Sequence, residues 1–146
     1  MSQPIADPHN LNRFVAAQAQ DYATALSELK SGRKRTHWMW YVFPQIAGLG
    51  ASSNATYYAI SGLEEAGAYL RHPVLGPRLL ECAEAVINIE GRSAKEIFGT
   101  PDDRKLRSSA TLFASVSAPD SVFHRVLSKY FGGAVDRRTL ELLKTG

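Results

Sequence analysis

The chain holds one cysteine, Cys82, so no disulfide can form within it and no cluster of thiolates can hold a metal. Long hydrophobic runs are missing too. The longest uninterrupted apolar stretch, Trp38 to Phe43, falls far short of the roughly 20 residues a membrane-spanning helix needs. Charge of one sign is scarce: 17 basic against 14 acidic side chains leave a net +3, less than a dedicated duplex-DNA binder carries. There is no internal repeat and no low-complexity tract. The opening MSQPIADPHN has neither the basic start nor the apolar stretch of a secretory leader, which makes a cytoplasmic location the expectation. None of His9, His37, His72 and His124 pairs with another histidine or a carboxylate at ligand spacing, so neither a metal site nor a cofactor is expected.

What is present is ordinary globular usage. Apolar residues make up 45% and charged residues 21% of the 146, enough to bury the core of one compact domain. That domain is expected to span the chain, with its core over about 7–143. Helix punctuation recurs along it, and strand alternation does not. Asp7-Pro8 pairs a capping residue with a proline suited to a first helical turn, and Leu11, Phe14, Val15, Tyr22, Leu26 and Leu29 follow at three-to-four spacing until Gly32. Ser61 with Glu64 and Ser93 with Glu96 read as capping boxes. Thr100-Pro101-Asp102-Asp103 opens a helix with both acids where its dipole favours them, and Gly132-Gly133 closes the next. Asp136 caps a last helix. The sum is an all-α fold of seven or eight helices joined by short links.

The stretch GRKRTHWMWYVFPQIAGLG, Gly32 to Gly50, is the ambiguous one. As a strand it would put His37, Met39, Tyr41 and Phe43 on one face. As a helix capped by Thr36 it lines up Met39, Val42, Phe43 and Ile46 inward, with His37, Trp40 and Tyr41 on another face and Lys34 one turn before His37. The helical surroundings and Pro44 as terminator favour the helix.

That stretch, with YLRHPVLGPRLLECAEAV, EIFGTPDDRKLRSSATLFASV and VLSKYFGG, resembles the bacterial family catalogued as domain of unknown function 1810. The likeness runs from about Asp7 to Leu143 and implies a mainly helical single domain. It implies no mechanism. Some members carry the label calpastatin, but nothing here resembles the disordered, repeat-built inhibitor which that word denotes. VLSKYF followed by LELLKTG is similar, more faintly, to the C-terminal pattern of NADAR domains, a helical group linked to ADP-ribose chemistry on guanine. Lys129, Phe131, Leu142 and Thr145 fall where that pattern wants them. The acidic-aromatic helix of those domains has no clear counterpart, though Glu64 and Glu65 stand in the corresponding part of the chain.

The chemistry on offer concentrates in two places. In the first, Trp38, Trp40 and Tyr41 can fill the core, yet tryptophans two residues apart on a helix lie about 200° apart, so one of them should face a cleft or solvent. A flat ring beside cations is a platform for a base or a nicotinamide-like ring. His37, with a reference pKa near 6.5, can exchange a proton at neutral pH or simply pack. Arg33, Lys34 and Arg35 suit the carbonyl end of the first helix, or draw a phosphate through Lys34. In the second place, DDRKLRSS, Lys105, Arg107 and Ser108 either pair locally with the preceding acids or offer charge and hydroxyl to a ligand. GLGASS reads as a flexible connector, and Cys82 as buried and inert.

The reading that results is an anionic, ring-bearing small molecule, nucleotide or ADP-ribose-like, bound by Lys34, Trp38, Trp40, Tyr41, Gln45, Lys105, Arg107 and Ser108. A hydrolytic version uses His37, Glu64 or Glu65. Two alternatives stay open: a protein-interaction module anchored by exposed aromatics, and single-stranded nucleic-acid binding, disfavoured by the modest charge.

Overall fold

The computed structural model describes residues 6–145; the reading of the first five residues and the side chain of Thr145 lie outside what it describes. Among the described residues there are nine helices: α1 (Asn12–Ser31), α2 (Met39–Val42), α3 (Ser53–Tyr57), α4 (Leu63–Arg71), α5 (Leu75–Ile87), α6 (Ala94–Phe98), α7 (Asp102–Ala114), α8 (Val122–Phe131) and α9 (Arg137–Thr145). No strand accompanies them, only one parallel bridge between Ile46 and Ile60. The fold is all-α as expected, but the count exceeds seven or eight. The added element is α3, which follows directly on the GLGASS stretch read as a flexible connector: the Ser52 hydroxyl accepts the amide of Ala55 at 3.1 Å and starts one short helix.

Local signals set most of the boundaries. Gly32 ends α1 at φ 85° and Gly132 ends α8 at φ 61°, both left-handed positions that glycine adopts without strain. Ser93 and Glu96 form the reciprocal capping box of α6. Asp136 accepts the Thr139 amide at 3.1 Å and opens α9. Two other signals work differently from their sequence reading. Asp7 caps α1 from a distance, its carboxylate accepting the amides of Leu11 at 2.7 Å and Asn12 at 3.0 Å, so the helix begins after Pro8 rather than at it. The acid serving Ser61 is Glu65, at 2.9 Å, and Glu64 stays exposed.

The core is threaded by aromatic contacts. Phe14 of α1 meets Tyr69 of α4 edge-on at 5.1 Å, Tyr69 meets Phe113 of α7 at 5.3 Å, and Phe113 meets Phe123 of α8 at 5.6 Å. One buried amide is bound into this interior: Gln18 donates to the Tyr41 carbonyl at 2.7 Å and to the Tyr69 hydroxyl at 3.1 Å. Cys82 is fully buried, and burial pushes its thiol up to about 12, which leaves it unreactive. No helix among the described residues is long and apolar enough to cross a membrane.

Two sites test this packing. A Cβ on Gly76 would lie 2.1 Å from the Leu70 carbonyl oxygen, where α5 starts against the end of α4. Gly76→Ala should therefore cost about 1–3 kcal/mol in urea denaturation. The Ser109 hydroxyl is buried without a hydrogen-bond partner among the described residues. Ser109→Ala removes that unmet demand and should leave stability unchanged or raise it by about 1 kcal/mol.

Candidate functional site

The segment after α1 is organised by one carboxylate. Glu28, in the last turns of α1, accepts the Arg35 amide at 2.8 Å, the Thr36 amide at 3.0 Å, the Thr36 hydroxyl at 2.7 Å and the Trp38 indole N–H at 2.9 Å. Burial alone would raise its pKa; the donors from Thr36, Arg35 and Trp38 outweigh that and hold the carboxyl down at about 2. Thr36 is thus a donor to Glu28, not the cap of a long helix. The expected amphipathic helix shrinks to the single turn α2, because the loop before it is tied back to α1 and the Lys34 amide is tied to the Ile97 carbonyl at 2.7 Å.

The two tryptophans part ways. Trp38 is fully buried, packed on Phe43, while Trp40 is half-buried. Tyr41 is buried as well; its hydroxyl donates to Asp21 and, at 3.2 Å, to the His37 carbonyl. Met39, Val42, Phe43 and Ile46 all enter the core.

Around these rings runs a short chain of charges. Lys34 Nζ lies 2.9 Å from Asp102 Oδ2 and 2.6 Å from the Thr36 carbonyl oxygen, and 5.2 Å from the centre of the Trp38 ring. Lys105 Nζ lies 3.4 Å from Asp102 Oδ1 and 5.0 Å from the centre of the Trp40 ring. The Lys34 side chain is only 6% exposed, so its ammonium supplies field rather than open contact. Asp102 sits in the first turn of α7, where the helix dipole supports its charge.

Two hollows flank Trp40. The first, about 350 Å³, is bordered by Lys34, Arg35, His37, Met39, Trp40, Phe98 and Asp102. The second, about 380 Å³, is bordered by Trp40, Gln45, Arg104, Lys105, Ser108 and Asp136. Lys34, His37 and Trp40 thus share one hollow; Gln45, Lys105 and Ser108 share its neighbour. The remaining residues named from sequence lie elsewhere or are engaged. Arg107 donates to the carbonyls of Ala134 at 3.0 Å and Val135 at 2.7 Å. Glu65 is buried and paired with Arg13 at 2.7 Å; Glu64 is exposed, 4.0 Å from His9. Neither glutamate borders either hollow. Of the NADAR-like positions, Lys129 donates to the carbonyls of Ile87 and Ile89.

Sequence reasoning passed over Asp102 as a mere helix start and named neither Phe98 nor Asp136 as a site residue. A larger hollow, about 660 Å³, opens between the ends of α1 and α5 beside Lys30, Glu81, Glu84, Glu90 and Arg92. It has no aromatic wall, and Glu84 there pairs with Arg125 at 2.7 Å. Among the described residues, no three His, Cys, Asp or Glu side chains converge as metal ligands.

A family model described as Protein of unknown function (DUF1810) matches residues 8–143. The chain belongs to that family. The crystal structure of the conserved hypothetical protein Rv1873 from Mycobacterium tuberculosis is similar at 56% identity, over 94% of this chain and 99% of that one, with a TM-score of 0.93. The curated proteins yield no match. The DUF1810 description states no activity, so any function has to be argued from the side chains.

In this DUF1810 protein the Glu28 hub has a pH signature. Its folded pKa lies below the unfolded value of 4.5, so its contribution is complete above that pH and is lost as pH falls towards about 2. Glu28→Gln should cost a few kcal/mol at pH 7 in urea denaturation and should flatten the acid limb of the stability profile.

Proposed function

We propose that the protein binds a small anionic molecule carrying a flat ring, of the nucleotide class, with the ring against Trp40. The observation that carries this reading is the half-buried Trp40 indole between the two hollows, with Arg35 and His37 on the border of the first and the Lys105 ammonium, on the border of the second, 5.0 Å from its ring centre. Stacking of a base on an aromatic ring is worth about 1–3 kcal/mol. The trio Lys34, Asp102 and Lys105 carries a net single positive charge, two cations against one anion, which favours an acidic group at the rim. Exposed Arg35 suits direct contact with a phosphate better than Lys34, whose ammonium already has two partners.

A hydrolytic version of this reading falls to His37, the one sequence-named proton carrier on the border of that hollow. The partner-module reading loses Trp38, which is buried, as an anchor. A single strand of nucleic acid would use the same ring and cations, and its binding would fall steeply with added salt.

Thermal-shift measurements with AMP test the proposal. Saturating AMP should raise the melting temperature, since ligand at 100 times its dissociation constant adds about 2.7 kcal/mol. Trp40→Ala and Lys105→Ala should each weaken AMP about tenfold or more, while Arg125→Ala, at an exposed ion pair away from both hollows, should not. Unaltered affinity in Trp40→Ala would overturn the reading.

A further inference from the structure

We infer that the nucleotide held at Trp40 belongs to a single strand of nucleic acid, its base on the indole and the phosphates on its 5′ and 3′ sides met by Arg35 and Arg104. This rests on the reading above and extends it from a free mononucleotide to a strand.

The two hollows are contiguous. Trp40 and Pro101 border both, so the indole stands between them. Each hollow has one arginine on its border, Arg35 on the first and Arg104 on the second. Both arginines are exposed, and neither guanidinium has a hydrogen bond or an ion pair among the described residues. That separates them from Arg13, Arg107 and Arg125, whose guanidinium groups already hold carbonyls or carboxylates of the fold.

A mononucleotide uses only half of this arrangement. Its one phosphate, drawn to Arg35, leaves the guanidinium on the other side of the indole without a counter-charge. Within a strand every internal nucleoside carries a phosphate on each side. A base on Trp40 then sends one phosphodiester towards each hollow. A basic groove with a ring for the base is how proteins hold single strands without reading their sequence. A base inside a duplex is stacked on both faces and cannot lie on an indole, so the strand is single.

The modest net charge of the chain does not oppose this, because the charge is unevenly placed. Lys34, Arg35, Arg104 and Lys105 border the hollows against Asp102 and Asp136, so two of the chain's net three positive charges gather there. Both acids are committed within the fold. Asp102 holds Lys34 and Lys105, and Asp136 accepts the Ser108 hydroxyl at 3.1 Å and the Thr139 amide at 3.1 Å. Arg33, two residues before Arg35, is exposed and equally without a side-chain partner among the described residues, so positive charge continues beyond the hollows.

Titration of the full chain with AMP, adenosine 3′,5′-bisphosphate and octa-adenylate, the last in ribo and deoxyribo forms, tests the inference. At about 50 mM salt at least one octamer should bind about tenfold more tightly than AMP, and raising salt to about 200 mM should weaken it roughly tenfold. Each phosphate neutralised on a single strand adds about 0.7 to the slope of log affinity against log salt. Arg104→Ala removes no hydrogen bond or ion pair of the fold. It should lower that slope by about 0.7 and weaken the octamer while leaving AMP unchanged. Octamers that bind no more tightly than AMP overturn the strand and leave the mononucleotide reading standing. A gain for the bisphosphate with none for either octamer points to a free ligand and overturns it equally. An octamer whose affinity and salt slope survive in Arg104→Ala does the same. Failure of every probe to bind defeats the underlying reading and the inference together.

Discussion

Everything distinctive about the candidate site follows from the Glu28 carboxylate. Four donors converge on it from the next ten residues, two of them backbone amides, so the chain leaving α1 is bent back upon that helix instead of continuing outward. Hydrogen bonds to a charged group contribute about 1.5–3 kcal/mol each, and several together offset the cost of burying a carboxylate. The bend seals the Trp38 ring inside, sets Lys34 against Asp102 and leaves Trp40, two residues on, at the surface. A hollow with an indole wall is thus the by-product of satisfying one buried anion.

Several cations among the described residues are engaged by the protein's own backbone. Arg13 donates to the carbonyls of His9, Asn10, Tyr57 and Ala59, Arg107 to those of Ala134 and Val135, and Lys129 to those of Ile87 and Ile89. Such side chains close helix ends and pin loops.

Legibility in the sequence followed the range of the interactions. Gly32, Ser93 with Glu96, the two acids of α7 and Gly132 act through bonds within one turn, so their spacing was enough to place helix ends. The opposed fates of Trp38 and Trp40 agree with the helical reading of their spacing, although Trp38 precedes α2 and is turned inward by its bond to Glu28. Thr36 misled because a hydroxyl before an apolar run looks like a cap, whereas here it serves an acid eight residues earlier. The Glu65–Arg13 pair joins positions 52 apart, and the Asp102 contact with Lys34 joins α7 to the loop after α1; neither leaves a periodic trace. Helix α3 was missed because Gly48, Gly50 and Ser52 favour loops, and only the Ser52 hydroxyl betrays the helix behind them.

The contrast between the two indoles has an optical consequence. Trp38 is locked to a charged acceptor in a dry interior, and Trp40 stands partly in water beside an ammonium. Ultraviolet emission from this protein is therefore the sum of two unlike sources, a blue-shifted one governed by packing and a redder one that a quencher dissolved in the solvent can reach. The molecule carries its own reference lamp next to its own sensor.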